Sequence, residues 1–285
     1  MKLLRFGDVG KERPGLLDSQ GQIRDLSGIV PDIGAAQLAP AELARISKVD
    51  SNSLPLAAGE PRLGPCVAAP SKIVAIGLNY RKHAAEGGMA LPTEPIIFLK
   101  ATSSISGPDD PIVLPKNAHK GDWEVELGVV IGRKALYVTE AEAATYIAGY
   151  CTTNDVSERG FQLERQGQWT KGKSCDSFAP IGPYLVTADE IADPQALRLF
   201  CEHNGKTAQD SSTADMVFGV FHLVSYVSQF MSLLPGDIIM TGTPEGVGMG
   251  MKPSVFLKAG DTLSCGIEGL GEQLHQVEDF APAKS

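Results

Sequence analysis

Two acidic residues separated by one position, Glu124 and Glu126, stand at the start of an apolar segment that continues to Ile131. On a β-strand alternate side chains share a face, so these carboxylates would lie side by side, about 7 Å apart along the backbone, and Asp122 would continue that face. An amphipathic strand with its acids in water is one interpretation. The apolar continuation indicates instead that both faces are covered, and adjacent buried carboxylates repel each other unless a cation lies between them.

A third carboxylate, Asp155, follows an apolar segment that begins at residue 147, and we expect it to emerge at a strand end. Three carboxylates with no neighbouring His or Cys form a hard-oxygen set, which fits Mg²⁺ or Mn²⁺ with waters in the remaining positions and disfavours zinc. Taken alone, Asp155 is more readily explained as a turn or helix-capping residue.

A histidine and a glutamate three residues apart, His83 and Glu86, would share one face of a short helix. A histidine oriented by a carboxylate is suited to drawing a proton from water. Gly87 and Gly88 follow directly and would let such a segment move as a lid. The alternative is a surface helix with an incidental pair.

Two further segments supply a lysine and a glycine-rich loop, namely residues 169–176 and 241–248. Lys173 near a metal would neutralise developing enolate charge, and backbone N–H groups with Thr243 would hold a carboxylate. Neither segment alone is distinguishable from ordinary surface polarity. The glycines at 246, 248 and 250 lack the spacing of a dinucleotide-binding fingerprint, and the serine-hydrolase elbow Gly-x-Ser-x-Gly is absent from the sequence.

The elements that must position these residues are mostly strands. Apolar segments of strand length lie at 73–76, 96–99, 125–131, 184–186, 238–240 and 255–257, and helices are predicted at 40–46, 140–146 and 217–234. Short strands at 3–6, 15–18 and 23–26 and a Pro/Gly-rich connector predict a small N-terminal domain, residues 1–66, before a catalytic domain, residues 70–285. Because strands outnumber helices and do not alternate with them, we predict an α+β, strand-rich fold.

Composition narrows the classes of partner. The 285 residues carry 25 Lys+Arg against 34 Asp+Glu, a formal net charge of −9, which argues against nucleic acid and anionic membranes as partners. The N-terminus has no signal-peptide pattern and no segment reads as a membrane span. The five cysteines are scattered and odd in number, so we expect reduced thiols in a cytoplasmic protein.

Taken together, these segments resemble the fumarylacetoacetate hydrolase family over about residues 70–280. The family's Glu-x-Glu and distant Asp match Glu124, Glu126 and Asp155, and its lid pattern Gly-x-Asn-Tyr-x-x-His-x-x-Glu matches residues 77–86. Further matches are the Phe-Leu-Lys segment ending at Lys100, the Lys-Ser segment at 173–174 and the Thr-Gly-Thr-Pro-x-Gly-Val-Gly loop from residue 241.

The resemblance implies a mixed β-sheet roll around a Mg²⁺ or Mn²⁺ ion, a small N-terminal domain, and a homodimer or dimer of dimers. It also implies cleavage of a 2,4-diketo acid (acylpyruvate) to pyruvate and a second acid such as lactate. In this interpretation His83, oriented by Glu86, deprotonates the attacking water and Lys173 stabilises the enolate. The residues implied for substrate binding are Lys100, Gln162, Thr243 and Tyr80.

Residues 154–162 and 171–182 look like the bacterial sugar-acid branch, similar to 2,4-diketo-3-deoxy-L-rhamnonate or -fuconate hydrolases. Two alternatives stay open. One is a fumarylpyruvate or acylpyruvate hydrolase of aromatic degradation, and the other is a lyase or decarboxylase, such as ureidoglycolate lyase or oxaloacetate decarboxylase, that uses the same metal site.

Overall fold

The computed structural model describes residues 1–282 as a strand-rich protein. The strands are β1 (Lys2–Phe6), β2 (Arg13–Leu17), β3 (Ile23–Asp25), β4 (Leu63–Gly64), β5 (Ile73–Gly77), β6 (Ile96–Lys100), β7 (Ile105–Ser106), β8 (Ile112–Leu114), β9 (Gly121–Asp122), β10 (Val125–Ile131), β11 (Ile147–Asn154), β12 (Ser157–Glu158), β13 (Ala179–Pro180), β14 (Leu185–Thr187), β15 (Arg198–His203), β16 (Lys206–Ser212), β17 (Ile238–Met240), β18 (Thr262–Ile267) and β19 (Gly271–Asp279). The α-helices are α1 (Pro40–Ile46), α2 (Arg81–Glu86), α3 (Arg159–Leu163), α4 (Thr170–Lys173) and α5 (Val220–Ser228). Single 3₁₀ turns lie at Ser51–Ser53, Thr102–Ser104, Ala143–Tyr146, Ala188–Glu190, Thr213–Asp215 and Gly248–Gly250.

The largest sheet runs in the order β3-β2-β1-β14-β11-β10-β17-β5-β6, with β4 paired to β1. β5 and β17 are parallel and the other pairs along this path are antiparallel, so the sheet is mixed. A second sheet has the order β16-β15-β18-β19-β8. Small β9/β12 and β7/β13 pairs sit beside them. The prediction of an α+β, strand-rich fold is confirmed.

The central strand β10 is buried along its whole length because a hydrophobic core lies against each face. Val125 and Leu127 belong to a core that includes Leu263 of the second sheet. Val130, on the opposite face, belongs to a second core with Leu3 of the N-terminal strands. The covered faces inferred from the apolar sequence are therefore present, and the acidic residues at the start of this strand are out of bulk water.

The N-terminal strands continue the main sheet. β1 pairs with β14 through Lys2 opposite Val186 and Leu3 opposite Leu185, and residues before position 66 share a core with β5, β10 and β17. The division at residues 66–70 therefore coincides with no break in the sheet, and the two-domain description stays a prediction.

Three predicted elements differ from the structure. Residues 255–257 form no strand, because the backbone of Val255 bonds to Gly248 and that of Leu257 to Gly121, both in other segments. Residues 140–146 form only the 3₁₀ turn at 143–146, since β11 begins at once. The predicted helix 217–234 is limited to α5, because residues 217–218 bond to Asn79 and Leu233 pairs with Ala135.

Two smaller expectations can be compared directly. All five cysteines are free thiols, as the scattered positions predicted. No helix among residues 1–282 has the length and apolar character needed to cross a bilayer.

Candidate active site

The three predicted metal ligands meet at the ends of two neighbouring strands. Glu124 and Glu126 flank the first residue of β10, and Asp155 follows the last residue of β11. The register that places Val125 opposite Asn154 brings them together, and the backbone N–H of Asp155 donates to the carbonyl of Glu124 at 2.9 Å. One oxygen from each carboxylate lies within 4.8 Å of the others, and all three residues are buried.

Three buried cations surround this acidic triad. Lys173, at the end of α4, donates to Glu124 Oε2 at 2.7 Å and to Asp155 Oδ2 at 2.8 Å. Lys100, at the end of β6, forms an ion pair with Asp155 Oδ1 and donates to the carbonyl of Val156 at 3.2 Å. Arg159 lies with Nη2 2.6 Å from Glu124 Oε1.

The pKa values of the two glutamates are shifted in opposite directions. Burial by itself would raise the pKa of Glu124, but Lys173 and Arg159 lower that pKa to about 2. Burial raises the pKa of Glu126 well above its usual value, and the negative charges of Asp155 and Glu124 add to the rise. For Lys173 the effect of burial is outweighed by Asp155 and Glu124, which raise its pKa above the usual value.

The donor set fits a hard divalent cation. Among the described residues Glu126 accepts one hydrogen bond, from the N–H of Gly242 at 2.8 Å, so its buried negative charge is poorly compensated by the protein alone. A cation among three carboxylate oxygens supplies that compensation, and oxygen-only ligands suit Mg²⁺ or Mn²⁺. Zinc would favour nitrogen or sulfur ligands, which this cluster lacks in the described part of the chain.

One glycine-rich loop, residues 241–248, holds the acidic groups in place through its backbone. The N–H of Gly242 donates to Glu126, that of Gly246 to Glu86 at 3.1 Å, and that of Gly248 to Asp122 at 2.6 Å. Gly246 has φ +93°, and an added Cβ there would lie 1.9 Å from the carbonyl oxygen of Ala208. The loop thus requires glycine for its path, which explains the composition noted in the sequence.

The predicted His83–Glu86 pair lies on α2 as the spacing indicated. His83 Nδ1 is 3.5 Å from Glu86 Oε2, longer than an ordinary hydrogen bond, and within residues 1–282 Nδ1 has no other partner. Such contacts are often long without substrate and shorten in the complex. Gly250 lies against the carboxylate, since a Cβ at that position would meet Glu86 Cδ at 2.5 Å.

The remaining predicted residues take different positions. Gln162 lies on the cavity wall, and its Oε1 accepts from Arg159 Nη1 at 3.0 Å. The hydroxyl of Thr243 also lines the cavity but donates to the carbonyl of Val125 at 3.0 Å and accepts from Gln209 at 2.9 Å. The hydroxyl proton of Thr243 is therefore already donated within the protein and is not available to a substrate.

Lys100 and Tyr80 lie behind the site. The Lys100 side chain is wholly buried against Asp155 and does not belong to the described cavity wall. The Tyr80 hydroxyl is also buried, without a partner among the described residues, and burial followed by the charge of Glu126 raises its pKa. Asp122 does not join the acidic triad, since it bonds Arg159 Nε at 2.8 Å and the loop glycine Gly248.

Several of these groups border one cavity of about 140 Å³, lined by Ile76, Gly77, Leu78, His83, Met89, Phe98, Glu124, Glu126, Arg159, Gln162, Leu163, Trp169, Lys173, Thr243 and Met249. Arg159 and Trp169 line this cavity although the sequence patterns had indicated no function for either residue. Arg159 stands three residues before Gln162 on a helix, which was a usable local signal. Gln209, whose amide bridges β10 and Thr243, comes from a distant strand and gave no signal in the sequence.

Comparison with known proteins places this geometry in a family. A family described as "Fumarylacetoacetate (FAA) hydrolase C-terminal" matches residues 72–278. A Burkholderia cenocepacia protein named "Putative hydrolase" is 59% identical over 280 residues, covering 98% of this chain and 99% of that protein.

Two solved structures are similar over nearly the full length. A maleylpyruvate hydrolase from Sphingobium sp. SYK-6, in complex with manganese(II) and pyruvate, has a TM-score of 0.82 and 28% identity, covering 99% of this chain and 100% of that one. A 2-hydroxyhepta-2,4-diene-1,7-dioate isomerase from Mycobacterium marinum has a TM-score of 0.75 and 34% identity, with the same coverage.

Proposed function

This chain belongs to the fumarylacetoacetate hydrolase family, and from that premise we propose that it is a divalent-metal-dependent hydrolase acting on a carbon–carbon bond. The proposed substrate is a 2,4-diketo acid (acylpyruvate), and the products are pyruvate and a second carboxylic acid. The observation that carries the proposal is one cavity lined by Glu124 and Glu126 of the buried three-carboxylate cluster, by the histidine of the His–Glu pair and by a buried lysine. The manganese and pyruvate bound by the maleylpyruvate hydrolase support it.

Glu124, Glu126 and Asp155 would hold the cation. When bound, a divalent ion at these oxygens supplies Lewis acidity toward the keto-acid end of the substrate, worth several kcal/mol of charge stabilisation. The same ion would offset the burial and the carboxylate repulsion that together raise the pKa of Glu126. Mg²⁺ and Mn²⁺ both fit these ligands.

His83 is proposed as the base. Because its Nδ1 faces Glu86, the other ring nitrogen, Nε2, is left to accept a proton from water. The resulting hydroxide adds to the C4 carbonyl, the C3–C4 bond breaks, and its electron pair passes to the pyruvate half as an enolate. The proton held on His83 then returns to C3, which completes pyruvate and leaves the acyl group as a carboxylic acid.

Lys173 stands where negative charge accumulates in this reaction. Its ammonium lies 2.7–2.8 Å from two of the cluster carboxylates, which hold it protonated. A fixed positive charge in a water-poor cavity stabilises an enolate more strongly than the same charge in water. Gln162, on the cavity wall, is proposed to orient the substrate.

The candidate substrates differ in their acyl group. The sequence resemblance favours 2,4-diketo-3-deoxy-L-rhamnonate or -fuconate, with lactate as the second product. The maleylpyruvate hydrolase neighbour supports a fumarylpyruvate- or acylpyruvate-type substrate instead.

A second candidate activity is isomerisation without cleavage, favoured by the structurally similar isomerase. A lyase or decarboxylase using the same site also stays open. Reaction in H₂¹⁸O separates them, since only hydrolysis places the label in the released acid.

The direct test measures pyruvate release from acetylpyruvate with and without Mn²⁺ after treatment with a chelator. Wild type should require the metal. Glu126→Gln keeps the size of the ligand but removes its charge and should abolish turnover, and His83→Ala should lower kcat about 10²–10⁴-fold. Glu60→Gln, at an exposed site, is the matched control. Near-normal turnover in both site variants would overturn the proposal.

We also propose that the protein is cytoplasmic and forms a homodimer or a dimer of dimers, as the family resemblance implies. Size-exclusion chromatography with light scattering measures the assembly directly, and a monomer at micromolar concentration would contradict it.

A further inference from the structure

The cavity changes character along its length. Its charged end is lined by Glu124 and Glu126 of the acidic triad, together with His83, Arg159 and Lys173. Most of the remaining wall is built from apolar side chains, with Gln162 and Thr243 as its polar members; the apolar residues are Ile76, Leu78, Met89, Phe98, Leu163, Trp169 and Met249. A site that receives a small keto acid needs only the first part, so the second part requires an explanation.

A continuous set of contacts leads from the charged end into the apolar part. Lys173 Nζ lies 5.4 Å from the ring centroid of Phe98, within cation–π range. The rings of Phe98 and Trp169 then meet edge to face, with centroids 5.4 Å apart and planes at 72°. The order Glu124, Lys173, Phe98, Trp169 therefore runs outward from the metal ligands.

The position of Trp169 is built into the backbone. An added Cβ at Gly77 would lie 2.5 Å from Trp169 Cζ3 and 2.9 Å from Cη2, so the indole packs directly on bare backbone of β5. Strand β6 places Phe98 beside it, at a position paired with Ala75. Strands β5 and β6 therefore hold one side of the aromatic wall, and Trp169 joins it from the turn before α4.

The mouth of the cavity continues the apolar surface. Met89 and Leu163 are 41% and 44% exposed although they border the site. Large apolar side chains exposed together at a cavity rim are typical of a ligand-binding edge. The two lining cations, Lys173 and Arg159, are already paired with carboxylates, so among the described residues the cavity wall itself offers no unpaired Lys or Arg.

We infer that the part of the substrate distal to the keto acid is an apolar acyl group, an alkyl, alkenyl or aryl chain, and that it is neither polyhydroxylated nor carboxylated. This inference rests on the proposed function and selects among its substrates. A hydroxyl or carboxylate placed against Phe98, Trp169 and Met249 would lose its water without gaining a partner. An apolar chain is instead transferred from water onto aromatic and aliphatic surface.

The expected effect follows from that transfer. Each methylene that enters the apolar part should improve kcat/KM about fourfold until the cavity is full. A single hydroxyl on an otherwise identical chain should lower kcat/KM about fivefold or more.

The first test uses matched acylpyruvates with saturating Mn²⁺. Propanoylpyruvate and its 2-hydroxypropanoyl counterpart differ by one oxygen, and acetylpyruvate, butanoylpyruvate and fumarylpyruvate complete the panel. A rise in kcat/KM from acetyl to butanoyl, with both polar acyl groups disfavoured, supports the inference. A flat series, or preference for the hydroxylated or carboxylated compound, overturns it.

The second test uses variants of the wall. Trp169→Ala should flatten the chain-length series by raising KM for the longer chains, while acetylpyruvate changes little, and Trp169→Phe should restore part of the gradient. Phe230→Ala, at a 62% exposed aromatic remote from the described cavity, is the matched control. An unchanged gradient in Trp169→Ala would overturn the assignment of this wall.

A binding measurement separates failure of this inference from failure of the proposed reaction. Quenching of Trp169 fluorescence by pyruvate, 2-oxohexanoate and 4-phenyl-2-oxobutanoate needs no turnover, and Trp169→Phe reports the background from Trp123. Tightening along this series with no pyruvate released from any acylpyruvate would reject the hydrolase but support the apolar subsite. Equal affinities would reject the subsite even in an active hydrolase.

Discussion

Replacement of Lys100 by methionine tests whether this lysine stabilises the fold or binds the substrate, as the family resemblance implies. The ammonium of Lys100 is buried against Asp155 Oδ1, while Lys173 holds Asp155 Oδ2 at 2.8 Å. Methionine keeps an unbranched apolar side chain one atom shorter than lysine and removes the charge. Asp155 then keeps one cation instead of two.

The magnitude follows from the burial of both partners. Removing one member of a buried ion pair costs ~3–5 kcal/mol, and because Lys173 stays on the second oxygen we expect the lower end, ~3 kcal/mol. In a chain of this size that corresponds to a decrease in Tm of about 6–12 °C. The exposed pair of Lys120 and Glu164 provides the control, since Lys120→Met should change stability by less than ~1 kcal/mol.

The assay is thermal unfolding in EDTA and again in saturating Mn²⁺. A divalent ion gives Asp155 a new partner, so the difference in Tm between Lys100→Met and wild type should narrow when metal is added. Steady-state KM for an acylpyruvate should change little, because Lys100 does not belong to the described cavity wall. An unchanged Tm in EDTA together with a raised KM would refute the stabilising role of Lys100 and support a role in substrate binding.

Three further predictions concern other parts of the molecule. Gly250→Ala should lower kcat with little change in KM, because a Cβ there would displace the carboxylate of Glu86. The control is Gly28→Ala, which has open space around it and should leave the kinetics unchanged. A wild-type kcat in Gly250→Ala would refute the role of the contact between Gly250 and Glu86. Mn²⁺ at a hundred times its Kd should raise the free energy of unfolding of chelator-treated protein by about 2.7 kcal/mol, measured by urea denaturation, and the absence of any shift would contradict a metal site. Burial lowers the pKa of His275, so its contribution to stability is complete above the unfolded-state pKa of about 6.5 and is lost as pH falls below it. Urea titrations at several pH values should therefore show a smaller loss below pH about 6.5 in His275→Gln than in wild type, and parallel curves would show that His275 is not the titrating group.

Local patterns predicted much of the chemistry. The alternation of Glu124 and Glu126, the spacing of His83 and Glu86, and the helix at 40–46 follow from the periods of strand and helix, which covalent geometry sets. The helix predicted at 217–234 was too long because the apolar periodicity continues past the point where tertiary pairing of Leu233 with Ala135 ends it. Periodicity reports which faces are apolar, and neighbouring elements decide where a helix stops.

The sequence by itself determined the strand-rich class, the shared face of Glu124 and Glu126 and the His83–Glu86 spacing, because each depends on residues a few positions apart. Only the tertiary structure decided that Asp155 joins Glu124 through the register of β10 and β11, that Lys100 lies behind the site, and that Trp169 forms a cavity wall. These contacts join residues 31, 55 and 92 positions apart, such as Trp169 with Gly77. Their formation depends on sheet register and on where glycine lets two elements approach, which no local period encodes.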